Sequence, residues 1–478
     1  MKISHSFLHR ISMAMAAVLT VVLAACSSDE TKPVMEQVPA DVDAVASINL
    51  NELLTQAGMD LNGGIKFPGS LSAFNGSVPE EFSQVLDAID FEHSVMFAYH
   101  DRFVFGANIS DMDKFKKVFE KSESKGDFDV YSIKNLQLFV KDGTVWITSA
   151  DPDEKLLKDM LADAEKSNIT TDKARMAVLG SKAPLNMVFD LRKMVDFMAK
   201  VPGIDSNSNP LMSIYRGMLD NYPDAQAGLE FSISGTSILG NISLFDKDGK
   251  DISFDYLTEI DPQALNYIPA GMSTLAASGF KDGSIKDHTY ILESMAMICD
   301  PSLADYLKTL APEIGGTMAS GLRINYDDLL LLAKTDPNSL TTGNNLLAYT
   351  DYIMLIPLSE GTAAKAVKEI EAKVADGSVN LGKLKASALD NYLILGTIPA
   401  VTGQTNPEAK DFAGKMSYTI TRTPVMTDVL RGKTSGDART GSIIRATSSG
   451  SATTMLFEFV SDQPTLIEAL VQQYGGAL

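Results

Sequence analysis

Thiols, imidazoles and indoles are scarce in this sequence of 478 residues, which has two cysteines, five histidines and one tryptophan. His5 and His9 lie in the N-terminal segment, so three histidines remain for the rest of the chain. No HExxH, CxxC or HxH spacing occurs, and such spacings mark the common zinc and haem sites. We therefore expect no metal and no other cofactor.

Basic residues are also few. The 41 lysines and arginines stand against 61 aspartates and glutamates, which gives a formal net charge of -20. An acidic surface repels phosphate backbones, so nucleic acid is not expected as a partner. The charged fraction of 21% and the hydrophobic fraction of 45% are those of a globular chain that buries ordinary cores.

The N-terminus has the layout of a secretory signal peptide. Lys2 and Arg10 precede an apolar run, Ile11 to Leu23, which is too short to span a bilayer. The run ends in Leu-Ala-Ala-Cys at residues 23–26, which resembles the lipobox of bacterial lipoproteins. That resemblance implies cleavage before Cys26, a thioether from its sulfur to diacylglycerol, and acylation of the new N-terminus. The alternative is a simple signal peptidase site beside a chance cysteine.

The segment after Cys26 predicts a tether and a location. Residues 26–37 are polar and contain Pro33, which is typical of a flexible linker. The acids in Ser27 to Glu30 resemble the export signal that sends Bacteroidetes lipoproteins to the outer face of the outer membrane; a generic solvated tether is the alternative. Removing residues 1–25 changes the net charge from -20 to -22, because two basic residues and no acids are lost. The sequence therefore predicts an outer-membrane, lipid-anchored protein exposed at the cell surface.

Once Cys26 carries lipid, Cys299 is the remaining thiol, so no disulfide can form within the chain. Its apolar neighbours predict a buried, inert cysteine. His93 and His100 are expected in a strand and its turn, either with their hydrogen bonds satisfied or facing solvent. Trp146 is expected to be a half-buried strand residue.

Three pairs of landmarks predict two related halves. Val38-Pro-Ala-Asp before an apolar run matches Ile268-Pro-Ala-Gly before another, 230 residues later. A strand followed by a helix, with Ser110 and Ser359 as helix caps, recurs at an offset of 249. Turns at Asp142 and Asp390, offset by 248, predict hairpins, because Asp-Gly and Asp-Asn accept positive φ. We expect a first α+β domain over 38–260 and a second, its tandem duplicate, over 261–478; chance recurrence of short patterns is the alternative.

A smaller element occurs three times, as an apolar strand whose Asn or Asp turns the chain into a helix. The turn residues are Asn49, Asp190 and Asn325. Strand signals that alternate with helices but pair through short turns favour an α+β fold, in which each half is a largely antiparallel sheet covered by helices. Paired strands are also expected near the end of each half, and an amphipathic helix at the C-terminus.

The lipobox, the acidic tether, the Val-Pro-Ala-Asp opening and the Ser-Ile-Asn-Leu-Asn-Glu-Leu-Leu element at 47–54 together resemble a family of Bacteroidetes lipoproteins of unknown function. The resemblance would cover nearly the whole mature chain. It departs at Gly271, which stands where the first copy has Asp41. It implies location and fold, and it carries over no catalytic residue.

Two functions remain open. The first is a lipid-anchored, non-catalytic envelope protein whose paired domains present a groove or face to a protein or glycan, because clefts between domains are common ligand sites. The alternative is a carboxylate-dependent hydrolase of a cell-surface polymer, since 61 acids offer many pairs for acid and base catalysis. The lack of a nucleophile or metal motif favours a binding protein over an enzyme.

Overall fold

The structure is a computed structural model. It describes residues 33–61, 65–69, 71–72, 84–85, 87–100, 102–133, 136–149, 154–200, 210–293, 300–326, 328, 349–425, 428–429 and 438–474. Cys26, Cys299 and the predicted signal peptide lie outside the described residues. Within the described ranges, no helix has both the length and the apolar composition that crossing a membrane requires.

The fold of the described residues is mixed, with helices and one large antiparallel sheet of 19 strands. The α-helices are α1 Leu50–Gln56, α2 Met112–Val118, α3 Glu154–Lys166, α4 Lys173–Leu179, α5 Leu191–Lys200, α6 Pro210–Asn221, α7 Tyr290–Glu293, α8 Pro301–Thr309, α9 Thr362–Ala375 and α10 Leu466–Tyr474. Short 3-10 helices span Val34–Gln37, Ile169–Thr171, Pro262–Tyr267, Ser284–Asp287, Ala311–Glu313 and Ala409–Phe412.

The strands are β1 Ala44–Ile48, β2 Ser94–Tyr99, β3 Arg102–Asn108, β4 Glu120–Lys125, β5 Phe128–Ile133, β6 Leu136–Lys141, β7 Thr144–Thr148, β8 Leu185–Asp190, β9 Gln226–Ser234, β10 Ser237–Phe245, β11 Leu257–Thr258, β12 Thr274–Phe280, β13 Gly316–Ile324, β14 Thr350–Pro357, β15 Lys385–Leu389, β16 Tyr392–Gly396, β17 Ser417–Pro424, β18 Thr440–Ser448 and β19 Ala452–Phe459.

Strand pairing runs as one ladder through the sheet. From edge to edge the order is β4-β5-β6-β7-β3-β2-β1-β8-β9-β10-β19-β18-β17-β12-β13-β14-β16-β15. The short β11 pairs with the end of β12. The sequence predicted a sheet for each half, whereas β10 and β19 pair over seven residues and join all the strands into one sheet.

Local sequence signals explain many of the turns. Asp142 and Asp390 have φ of 49° and 50° in the β6–β7 and β15–β16 hairpins, which confirms both predicted turns. The pairs β9–β10 and β18–β19 and the C-terminal helix α10 also lie where the sequence predicted them. His100 has φ of 50° in the turn between β2 and β3.

Some helices are capped at their N-termini by the residues that the sequence predicted. Asn49 accepts a hydrogen bond from the Glu52 N–H at 2.9 Å, and Asp190 accepts one from the Lys193 N–H at 3.0 Å. These bonds satisfy amide groups that the first helical turn leaves free.

Asn325 accepts the third such bond, from the Asp328 N–H at 3.3 Å. The predicted caps Ser110 and Ser359 are wrong. Asp111 caps α2 through its carboxylate, and α9 begins after Gly361, which adopts the left-handed conformation and makes no side-chain cap bond.

Side chains alternate between two faces of the sheet, and the residue pairs across the ladder define which residues share a face. On face 1, Leu50 of α1 and Phe115 of α2 pack with Phe105 and Leu138. Farther along the same face, α8 and α9 pack on β14 and β16, with Leu303, Ala366, Ile356 and Leu393 in contact. These two clusters lie on either side of the central strands.

Face 2 carries a matching pair of cores. Trp146 is fully buried there with Phe97 and with Leu157 and Met160 of α3, so the prediction of a strand residue is confirmed and that of half-burial is wrong. A second cluster packs Leu265 of the 3-10 helix Pro262–Tyr267 on β12, β14 and β17.

Two segments of the chain cross from one side of the central strands to the other. After β19, α10 reaches the region of α1, where the Ile467 N–H donates to the Ala57 carbonyl at 3.3 Å. After β10, the chain passes to the strands that follow, and the Ile260 N–H donates to the Lys415 carbonyl at 2.8 Å. The central strands are therefore held from both sides.

Candidate functional site

Cys26, the predicted lipidation residue, lies outside the described residues, so its place is given by the sequence alone. His93 is exposed beside Asp90, with 3.0 Å between Nδ1 and Oδ2. His100 is exposed in its turn, with its ring 4.2 Å from that of Tyr99. Neither histidine lies in a group of metal ligands, since no set of three His, Cys, Asp or Glu side chains within the described ranges could hold a metal ion.

The central strands offer a different kind of site. On face 1, side chains from five neighbouring strands form an uncharged surface that we call the central strip. Its members are Leu229, Phe231, Gly240, Ile242, Ser417, Thr419, Ala446, Ser448, Thr453 and Met455. Met455 is 38% exposed, and every other member except Gly240 is partly exposed. A surface without charge is unusual in a chain with a net charge of -20.

The strip is ordered because its members are register partners. Phe231 lies opposite Gly240, which lies opposite Met455. The Phe231 ring lies over Gly240, where a Cβ would be 3.0 Å from its Cε1, a tight contact. Beyond Met455 the row continues with the small residues Ala446 and Thr419.

Helices bound the strip at both ends of its strands. Ile233 and Ile238 on the neighbouring row pack against Leu466 and Ala469 of α10. At the other end, Ala227 packs in the cluster formed by α5 and α6. Among the described residues, no helix of these two clusters packs on the two rows of side chains between them.

Face 2 of the same strands is polar. Arg445 pairs with Glu458 at 2.7 Å, and Thr454 donates to the Asn241 side chain at 3.2 Å. Leu239, which is 36% exposed, also lies on this face. The two faces of the central strands thus differ in charge while sharing the same backbone.

Buried carboxylates were the expected mark of a hydrolase. Of the described residues, Asp428 and Glu468 are buried acids, at 2% and 5% exposure. Asp428 accepts from the Arg439 guanidinium at 2.9 Å. Glu468 accepts from the Thr465 hydroxyl at 2.9 Å, and the Glu468 N–H donates to the same hydroxyl at 3.4 Å, at the start of α10. Each therefore has a structural role that accounts for its burial.

An aromatic cluster with a histidine lies near the crossing after β10. The His288 ring is 4.3 Å from that of Tyr256 and 5.9 Å from that of Tyr290. Burial lowers the pKa of His288, and burial followed by the adjacent Tyr290 raises the pKa of Tyr256. These directions keep all three groups neutral at pH 7, as expected for a packed junction.

Sequence reasoning missed the central strip. Its one local signal is the alternation in β9, where Leu229, Phe231 and Ile233 share a face while Glu230 and Ser232 take the other. The strip is assembled from β10 and β19, which are more than 200 residues apart in the chain, so no local pattern could bring its halves together.

Comparisons with known proteins add little. No family model matches the chain, and no curated protein does. Among solved structures, "Structure of crystal form I of TP0453" is 9% identical and covers 45% of this chain and 78% of that chain, with a TM-score of 0.26. At that TM-score the likeness carries no argument about fold or function.

Proposed function

We propose that this protein is a lipid-anchored lipoprotein of the cell envelope that binds an uncharged partner on the central strip. The observation that carries the binding role is an uncharged surface of ten residues in an acidic protein, of which nine are partly exposed and Gly240 is buried. Exposed apolar surface costs free energy in water, and contiguous examples mark interaction sites.

We also propose that the fold is a tandem duplication about the β10–β19 pair. Supporting this, the strands outward from β10 run β9, β8, β1, β2, β3, β7, β6, while those outward from β19 run β18, β17, β12, β13, β14, β16, β15. If the strands of each half are numbered afresh in chain order, with β4, β5 and β11 left out, the two series run in the same order. On this view β4 and β5 are an addition to the first half.

Individual hydrogen bonds recur at the offsets found in the sequence. The Ile109 N–H donates to the Gly143 carbonyl at 2.7 Å, and the Leu358 N–H donates to the Asn391 carbonyl at 2.9 Å. Val38 and Ile268 each end a 3-10 helix with an N–H bond to the residue three before. Such agreement in backbone detail favours duplication over chance recurrence.

The anchor is proposed from the sequence. Acyl chains on Cys26 would hold the protein at the outer membrane, since one chain binds only marginally and two or more anchor stably. The net charge of -22 left after cleavage would repel anionic lipid. The sequence predicted a tether over residues 26–37, but Val34–Gln37 form a 3-10 helix whose Val34 is buried in the core. A tether that ends at Pro33 would separate the folded part from the membrane and place it at the cell surface.

Labelling with radioactive palmitate tests the anchor. Cells that express the full chain should incorporate label into this protein, and the variant Cys26→Ser should incorporate none while still accumulating. Cys299→Ser is the matched control and should label like the natural protein. Label that persists in Cys26→Ser would contradict lipidation at this residue.

Protease treatment of intact cells tests the surface location. If the protein faces outward, added protease should remove it while a periplasmic marker survives. A protein that stays intact until the cells are opened would place it on the inner leaflet. The carboxylate-dependent hydrolase ranks second, because it retains only the argument from the number of acids.

A further inference from the structure

The central strip is narrow, long and polar at one end. We propose that it binds the acyl chain of an uncharged single-chain lipid, of the monoacylglycerol class. The inference rests on the proposed function only in using the strip as the binding surface, and it does not depend on lipidation at Cys26.

The width of the strip selects among apolar partners. On β9, α10 packs against Ile233, and α5 with α6 packs against Ala227. These two positions are six residues apart, which is about 20 Å along the strand at about 3.4 Å per residue. A packed helix has a radius of about 5 Å, so among the described helices α10 on one side and α5 with α6 on the other leave about 10 Å of strand between them. That gap is smaller than a further helix with side chains, at about 10–12 Å, and admits a hydrocarbon chain.

The length of the strip fits an acyl chain of membrane size. Phe231 on β9 and Thr419 on β17 are separated by four strand spacings, or about 19 Å at about 4.8 Å each. A hydrocarbon core of about 30 Å gives about 15 Å for the chains of one leaflet. The strip thus accommodates such a chain and leaves room for a small headgroup.

The polarity along the strip indicates the headgroup. In the second row, Leu229 and Ile242 are followed by Thr453, Ser448 and Ser417 in register. Beyond them, Ser278 Oγ donates to Ser417 Oγ at 2.8 Å. This end offers hydroxyls and no charged member, so it suits a headgroup that exchanges hydrogen bonds without a charge, such as glycerol.

Displacement of a neutral fluorophore tests the proposal. The protein used is residues 33–478, which contain every helix and strand of the structure, loaded with N-phenyl-1-naphthylamine. Monooleoylglycerol should displace the dye at least about tenfold better than oleate at pH 8, because no cation in the strip compensates the carboxylate. An uncharged amphipathic helical peptide should not displace it.

Matched variants locate the site. Met455→Lys places a charge on the strip, and Leu239→Lys places one on face 2 at nearly equal exposure, 36% against 38%. Met455→Lys should weaken binding at least about tenfold, and Leu239→Lys should bind like the natural protein. Thr453→Lys, a second strip variant at a polar position, should also weaken binding, and circular dichroism should show that all three are folded.

Several results would overturn the proposal. These are no displacement by monooleoylglycerol, equal displacement by oleate, displacement by the peptide alone, or equal loss in Leu239→Lys and Met455→Lys. A dimer that Met455→Lys dissociates would assign the strip to a second copy of the chain. None of these outcomes bears on palmitate labelling, so the anchor and the ligand fail or stand separately.

Discussion

At the scale of single residues, Gly106 and Trp146 show how tightly face 2 is packed. A Cβ on Gly106 would lie 2.2 Å from Cζ3 of Trp146, which is fully buried. Because the ring touches Phe97 edge to face and has core residues around it, it has no free space to move into. Glycine is therefore required in β3 by close packing.

The variant Gly106→Ala should be destabilised by about 1–3 kcal/mol, the usual cost of overpacking a filled core. The measurement is urea unfolding followed by fluorescence of Trp146, the single tryptophan of the chain. Gly69→Ala is the control, since the nearest atom of the described residues, Glu468 Oε1, is 3.9 Å from its new Cβ, and it should change stability little. Equal stability of the natural protein and Gly106→Ala would show that the ring is not confined.

The features best predicted from the sequence were turns and helix caps that single residues determine. Asn49, Asp142 and Asp390 act through their own backbone or that of the next turn, so the sequence contains all the information needed. The predicted caps of α2 and α9 are wrong because Ser110 and Ser359 stand one and two residues before the residues that cap these helices, Asp111 and Gly361, and helix boundaries are the least certain part of a sequence-based prediction.

At the scale of elements, the carboxylate that caps α8 makes the stability of the fold depend on pH. Asp300 caps this helix, and its carboxylate accepts from the Ser302 hydroxyl at 2.6 Å, from the Ser302 N–H at 3.0 Å and from Asn380 at 3.1 Å. The Ser302 hydroxyl, then its N–H and Asn380, hold the pKa of Asp300 below its usual value. The folded state therefore favours the ionised form.

The variant Asp300→Asn keeps a capping oxygen and loses the charge. At pH 7 it should be less stable than the natural protein by up to about 1 kcal/mol, the worth of a charge at a helix start. This advantage of the aspartate is present above the unfolded pKa of about 3.9 and is lost as pH falls through the lower folded pKa. Urea unfolding at pH 7, 4 and 3 measures it; a difference that grows as pH falls would contradict the assignment.

Elements and hairpins followed from the sequence, but their order in the sheet did not. The strands β9, β10, β18 and β19 were predicted as two hairpins, and both are present. The pairing of β10 with β19 joins residues such as Gly240 and Met455, and no pattern near either one specifies it. The strip depends on that pairing, so the candidate site could not be predicted although four of its five strands could; β17 was not predicted.

At the scale of the whole molecule, the continuous sheet and the crossing segments couple the two sides. The β10–β19 ladder and the contact of α10 with the end of α1 mean that unfolding one side exposes apolar surface on the other. We therefore expect a single cooperative transition, with Trp146 fluorescence and far-ultraviolet circular dichroism giving the same urea midpoint.

A substitution far from the tryptophan sharpens this expectation. Leu393 on β16 is fully buried on the side of the sheet that lacks Trp146, and Leu393→Ala should cost about 2–5 kcal/mol. If the sides are coupled, this variant lowers the midpoint seen by Trp146 as much as that seen by circular dichroism. A tryptophan midpoint that does not move would show two independently unfolding units.

The central claim is that the strip on face 1 is a ligand surface, and oxidation of Met455 tests it most directly. A partly exposed thioether is oxidised by peroxide to the sulfoxide, and Met455 is 38% exposed. With monooleoylglycerol bound, mass spectrometry should show oxidation of Met455 slowed several-fold, while that of Met59, packed beside the core of α1 and α2, is unchanged. Oxidation of Met455 at the same rate with and without the lipid would contradict the claim.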